Sequence, residues 1–357
     1  MSFQFPVRLF TTLLLATAAA LACVALRAPL PWMIGPLLAV SVASIAGVPT
    51  ASFTPLRNAG QWVIGCALGL YFTPQVVALV ASAWWAIGLA IAWALVMGLA
   101  FGAGLHALHA KRMPHVPARS MRATTYFSGA IGGASEMTLL AERVGARTDL
   151  VAAAHSLRVM MVTITVPFAM QWSGMHGLDI HASGVREVRW DGLALLAAAT
   201  GAGGLLMRLA GRTNPWFMGP LVVAMGLTIG GANLSAVPGW LSNMAQLVIA
   251  VSLGVRFSRE FLQTAPRWLA TVALGTVGMI AACGLFGWGL AAATGLHPAT
   301  MILGAAPGGI AEMSITAKVL QLGVPVVTAF QVCRLIAVLL IVGPLYGWLY
   351  GRVPESA

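Results

Sequence analysis

"GGASEM", residues 132–137, returns almost unchanged as "GGIAEM" at residues 308–313. Each copy sets a glutamate, Glu136 or Glu312, behind a glycine pair inside a long apolar stretch. The pairs are Gly132 with Gly133 and Gly308 with Gly309. Glycine costs about 1 kcal/mol against alanine inside a helix. Pro307 stands ahead of the second pair, so an unbroken helix is disfavoured there. About a dozen residues remain on either side. At about 1.5 Å per residue, neither piece crosses a hydrocarbon core of about 30 Å. The element is therefore a broken crossing helix or a re-entrant hairpin. Either form needs protein or water around its unwound backbone.

The motif belongs to a duplication. "LPWMIGPLLAV" (30–40) matches "NPWFMGPLVVA" (214–224), and "QWVIGCALGLYF" (61–72) matches "QLVIAVSLGVRF" (246–257). The glycine–glutamate block comes third, and "AAAHSLRVMMVTITVP" (152–167) matches "TAFQVCRLIAVLLIVGP" (328–344). Four ordered matches divide the chain into one repeat over 8–172 and another over 190–350. Six apolar elements are expected in each: 8–26, 31–48, 58–80, 82–105, 120–145 and 150–172, then 190–209, 215–234, 241–257, 266–294, 298–320 and 324–350.

Composition sets the environment. The 357 residues are 59% hydrophobic and 8% charged, with mean hydropathy +0.88, whereas a soluble domain is about a quarter charged. No ten-residue alternation of a membrane barrel is present. The fold class is an all-α polytopic protein in a lipid bilayer, with five spans plus one broken or re-entrant helix per repeat. A net charge of +11 suggests nucleic acid, but the basic residues are scattered over loops, where orientation in a membrane requires them. No direct nucleic-acid partner is expected. Cys23, Cys66, Cys283 and Cys333 lie in apolar segments without CxxC spacing and read as packing residues. The first apolar run reads as an uncleaved helix in preference to a signal peptide.

Charge also bears on topology. If the N-terminus is cytoplasmic and the fifth element does not cross, the repeats are inverted and both termini are cytoplasmic. Leaving aside Arg158 and Arg334, fourteen basic residues then lie inside and four (Arg27, Arg186, Arg189 and Lys318) outside; Arg352 is among those inside. A crossing fifth element gives roughly nine against nine. The positive-inside rule favours inversion.

Ionisable groups in a bilayer are costly and usually face a partner or a cavity. Glu136 precedes Arg158 by 22 residues, and Glu312 precedes Arg334 by 22. Short turns near 146–149 and 321–325 would let each glutamate meet its arginine. A carboxylate in a helix's first turn is stabilised by the dipole there, and a hydroxyl follows in each copy, Thr138 and Ser314. One reading makes the pairs structural clasps; the other makes them a substrate or ion site built from discontinuous helices. Gln61 and Gln246 recur in the third element and could line a pore or bond across helices. The PWxxGP segments read as helix entries with close packing at glycine. His155 aligns with Gln331 and reads as a satisfied interior histidine. His106, His109 and His115 read as part of a solvated loop spanning 106–119. "GAGG" (201–204) would permit helix association and a homo-oligomer. No P-loop, GxSxG or HExxH occurs, and no cofactor or metal is implied.

The paired PWxxGP and GGxxEM blocks resemble the bacterial AbrB-type inner-membrane family, over about residues 8–350. The resemblance implies a duplicated multi-pass domain in the inner membrane. It carries two labels, regulation of gene expression and ammonia monooxygenase. Oxidising ammonia needs a redox metal and clustered ligands, which the seven histidines do not form. The leading reading is a carrier of a small solute or ion; the alternatives are a membrane-embedded regulator and, more weakly, the monooxygenase.

Overall fold

The computed structural model describes residues 4–113, 116–175, 187–212 and 214–351. His115, Arg186 and Arg352, used in the readings above, lie outside the described residues. Among those described, sixteen α-helices and no strand form. The first eight are α1 (Gln4–Ala25), α2 (Pro31–Ile45), α3 (Thr54–Gly69), α4 (Pro74–Ser82), α5 (Trp84–His109), α6 (Ala118–Gly129), α7 (Ala134–Arg143) and α8 (Thr148–Trp172). The second eight are α9 (Trp190–Leu209), α10 (Pro215–Ile229), α11 (Gly239–Gly254), α12 (Arg259–Thr264), α13 (Pro266–Thr294), α14 (Pro298–Ala305), α15 (Ile310–Val319) and α16 (Val324–Tyr350).

Six helices, α1, α5, α8, α9, α13 and α16, are long and apolar enough to cross a membrane, which makes this a multi-pass membrane protein. The surfaces of α1, α5, α9 and α13 are mostly exposed. They carry Phe10, Leu206, Leu274 and Leu285 outward, each more than 60% exposed. Such faces suit hydrocarbon as solvent. The two most buried long helices are α8 and α16, and these hold Arg158 and Arg334.

The third expected element is corrected. Residues 58–80 are not one straight helix: α3 and α4 meet at an 86° bend. In the second repeat α11 stops at Gly254 and α12 follows. The second element shortens likewise, so α2 and α10 have 15 residues and α3 and α11 have 16. At about 1.5 Å per residue these reach only about 22–24 Å. Apolar length overstated them because their hydrophobicity serves helix–helix packing.

Two compact units cut across the sequence repeats. The first comprises Met1–Ser82, Pro167–Leu262 and Ser314–Thr328; the second comprises Ala83–Val166, Gln263–Met313 and Ala329–Ala357. In the first unit α10 packs on α3 and α9, and α2 packs on α1 and α11. Glycine sets these distances. A Cβ on Gly35 would press on the Ala19 carbonyl, and one on Gly69 on that of Leu221, each at 2.6 Å. Gly219 is equally tight against Gly203 and Gly204. The "GAGG" run is therefore used within the chain: Gly201 lies under the Trp62 ring and Gly204 under that of Trp216.

The second unit holds α5, α6, α7, α13, α14 and most of α8 and α16. Small residues on α5 let α6 come close, with Gly98 against Ala130 and Gly102 against Thr125. Gly287 of α13 does the same for Ile302 of α14. Trp93 stacks on Phe286 with centroids 4.8 Å apart. The histidine loop is shorter than expected. His106 and His109 belong to α5; His109 is buried, 3.0 Å from the Thr271 hydroxyl and edge-on to Trp268.

Candidate functional site

Both glycine pairs lie in breaks within the second unit. The first break, 130–133, separates α6 from α7, and the second, 306–309, separates α14 from α15. None of the four glycines has a left-handed φ; Gly133 is extended at φ −67°, ψ 141°. Conformational freedom therefore does not explain them. Crowding does. A Cβ on Gly133 would collide with the Glu136 carboxylate, and one on Gly309 with that of Glu312. A Cβ on Gly132 would meet Met137 Cε at 2.7 Å, and one on Gly308 would meet Met313 Cε at 2.9 Å. The motif thus packs on itself: the first glycine lies under the methionine and the second under the glutamate. Each glutamate is the third residue of its helix and doubles back toward the N-terminal end, where unpaired N–H groups favour negative charge.

The arginines bond to main-chain carbonyls of the breaks. Arg158 is 2% exposed. Its Nη1 donates to the Ser128 and Gly129 carbonyls at 3.3 and 3.4 Å, and its Nη2 to that of Ala130 at 2.8 Å. Nη2 also donates to His155 Nδ1 at 2.7 Å. Because Nδ1 accepts, His155 carries its proton on Nε2 and donates it to the Phe127 carbonyl at 2.9 Å. In the second break Arg334 donates from Nη1 to Ala306 O at 2.5 Å. Its Nη2 donates to Gly308 O at 2.8 Å and to Gln331 Oε1 at 2.6 Å. Gln331 Nε2 donates to the carbonyls of Leu303, Gly304 and Ala306 at 2.8, 3.3 and 3.1 Å.

These carbonyls are the ones a helix leaves unpaired in its last turn and just beyond. A guanidinium there answers both the hydrogen-bond deficit and the negative end of the helix dipole. The arginines thus cap the first half-helices, and the glutamates sit at the start of the second. Aligned spacing along α8 and α16 places the arginine backbones but does not say which end of the break a long side chain reaches. Sequence reading also missed Gln331 as a capping partner, although its alignment with His155 was visible.

The breaks are interwoven. Val162 of α8 packs on Gly308. Its counterpart Val338 of α16 joins a core with Ala130, Met137 and Tyr126, and Tyr126 donates to the Val342 carbonyl at 2.8 Å. Arg158 and Arg334 are near enough to act electrostatically on one another and on Cys283, which packs against Ile131.

The remaining candidates point elsewhere. Thr138 donates its hydroxyl to Ala134 O in its own helix. Ser314 accepts from Thr328 within the first unit. Gln61 and Gln246 also belong to the first unit, with Gln246 buried. Among the described residues, no three His, Cys, Asp or Glu side chains are placed to share a metal ion.

Comparison with known proteins places this geometry in a family context. Residues 32–350 match the family model described as "Transition state regulatory protein AbrB". The chain is 25% identical over 347 residues to the "Uncharacterized protein YhjN" of Bacillus subtilis (strain 168), covering 89% of this chain and 87% of that one. It is 26% identical over 321 residues to the "Putative regulator AbrB" of Escherichia coli (strain K12), covering 88% and 89%.

Proposed function

The chain belongs to the AbrB family, and from that premise we propose that it is a secondary carrier of a small solute or ion, with Glu136 and Glu312 as its proton- or cation-binding groups. The observation that carries this reading is the division of charge at each break. Both arginines are committed to main-chain carbonyls and a neighbouring side chain. The carboxylates stand at the other lip of the same break. A cation or proton is therefore a better match to the site than an anion. Paired interrupted helices inside a buried core are the means by which many carriers place an ion site at mid-membrane, and a clasp alone would not require unwound backbone. The inverted arrangement, the cytoplasmic termini and the bacterial inner membrane belong to this reading; the positive-inside count supports them.

The test is proton uptake into proteoliposomes under an imposed potential, read with an internal pH dye. Glu136→Gln and Glu312→Gln should each lower the flux at least tenfold. If both single variants transport like the parent, the site is wrong.

A second reading rests on the name of the Escherichia coli relative, a regulator. A membrane regulator of this shape would signal through a partner, and Lys111 and Arg112, exposed after α5, offer the contact surface. Reversing both charges should leave flux intact under the carrier reading. It should abolish the regulatory output under the alternative.

A further inference from the structure

Independently of that reading, we propose that the second unit carries a specific site for one anionic phospholipid, with an acyl chain lying against the first break. A shallow, open apolar groove lies between α5, α6 and α16. It is lined by Leu95, Gly98, Val342 and Leu345, and by Ala130 and Ile131, the first residues of the interruption. Tyr126 also lines it and begins an aromatic cluster. The Tyr126 ring lies 5.1 Å from that of Tyr346 and 6.0 Å from that of Tyr350. Three of the chain's four tyrosines thus gather here. Tyr126 commits its hydroxyl to a carbonyl, while Tyr350 is 49% exposed. Tyrosines of this kind sit where hydrocarbon meets headgroups.

The charge beside them selects the occupant. Arg119 and Arg122, both exposed, act electrostatically on Tyr346. Arg147 is tied to Thr124 of the same helix through its backbone N–H, and its guanidinium pairs with Asp149, which leaves Arg119 and Arg122 for an external anion. An apolar groove beside a tyrosine cluster, with two exposed arginines on the adjoining helix, fits a phosphodiester headgroup with its chain laid along the groove. It fits neither a zwitterionic lipid nor a free anion equally well. On the positive-inside count this end faces the cytoplasmic leaflet, where anionic lipids attract such basic groups. A chain resting on Ala130 and Ile131 would brace the unwound segment.

Native mass spectrometry and thermal unfolding of the detergent-solubilised full chain test the site, with added phosphatidylglycerol, phosphatidylcholine or glycerol phosphate. One retained phosphatidylglycerol per chain is expected, with a rise in unfolding temperature that the other two do not give. Arg119→Gln with Arg122→Gln should remove the preference for phosphatidylglycerol over phosphatidylcholine. Leu345→Trp, which fills the groove, should displace the lipid while leaving the headgroup cations in place. Equal retention of both lipids would overturn the proposal. So would a shift reproduced by glycerol phosphate alone, or a lipid preference that survives both variants.

Discussion

The two breaks solve one problem with the work divided differently. In the first, Arg158 holds three carbonyls, those of Ser128, Gly129 and Ala130, and His155 holds one, that of Phe127. In the second, Gln331 holds three, those of Leu303, Gly304 and Ala306, and Arg334 holds two, those of Ala306 and Gly308. The cause is the donor inventory of the smaller side chain. A neutral imidazole offers one N–H, whereas an amide NH₂ offers two and can fork across neighbouring carbonyls. Where glutamine takes most of the fan, the arginine moves on to the Gly308 carbonyl, and its Nε is left buried without a partner. The fan of carbonyls is thus the shared requirement, and the identities of its two donors are adjustable.

The difference is best broken at the arginines. Arg158→Met would orphan three buried carbonyls at about 1–3 kcal/mol each, whereas Arg334→Met orphans only that of Gly308, because Gln331 still reaches Ala306. Denaturation in detergent should show Arg158→Met as the more damaging change by several kcal/mol. Equal losses would mean that the charge of the arginine matters and its bonds do not.

The glycines give the next effect. Gly133→Ala and Gly309→Ala each drive a Cβ into the carboxylate end of the glutamate that folds over it, which must swing aside, and should lower flux more than stability. Gly132→Ala and Gly308→Ala press on a flexible methionine and should be milder, except that Gly308 also meets Val162 at 2.9 Å. Unfolding midpoints and flux for the four variants rank them. In the first break, a Gly132→Ala variant with lower flux than Gly133→Ala would contradict the self-packing account.

Much of this was legible in the sequence. The interruption follows from glycine's helix cost and from the length of the flanking pieces, and the second copy of the motif repeats it. The close approach of Gly35 and Gly219 follows from their place in PWxxGP. Two things were hidden. One is where a long flexible side chain ends: Arg158 is compatible with Glu136 or with the α6 carbonyls, and only the fold shows the latter. The other is helix length in the second and third elements, since apolar residues that pack against other helices look the same as those that face lipid.

Reversing the roles of the smaller donors gives a subtler contrast. Gln331→Leu removes the donor for Leu303 and Gly304 and the acceptor for an Arg334 Nη2 proton, so it should destabilise by about 2–4 kcal/mol. His155→Leu frees only the Phe127 carbonyl, and Arg158 keeps its three others, so the loss should be nearer 1–2 kcal/mol. The order of severity is thus the reverse of that for the arginines, and the same unfolding measurements check it.

The smallest expected effect is that of His155→Gln, and it is the sharpest. The fold places glutamine at the equivalent position of the other break, with its Oε1 accepting from the arginine and its NH₂ facing the helix end. A glutamine at 155 can adopt the same pose toward Phe127 and Ser128, so stability should change by less than about 1 kcal/mol. The pH dependence of flux between about pH 5.5 and 8 should also be unchanged, because an imidazole whose Nδ1 accepts from a guanidinium cannot take a second proton without losing that bond. An altered pH profile in this variant, with folding intact, would make His155 a participant in proton movement and would end the equivalence of the two breaks.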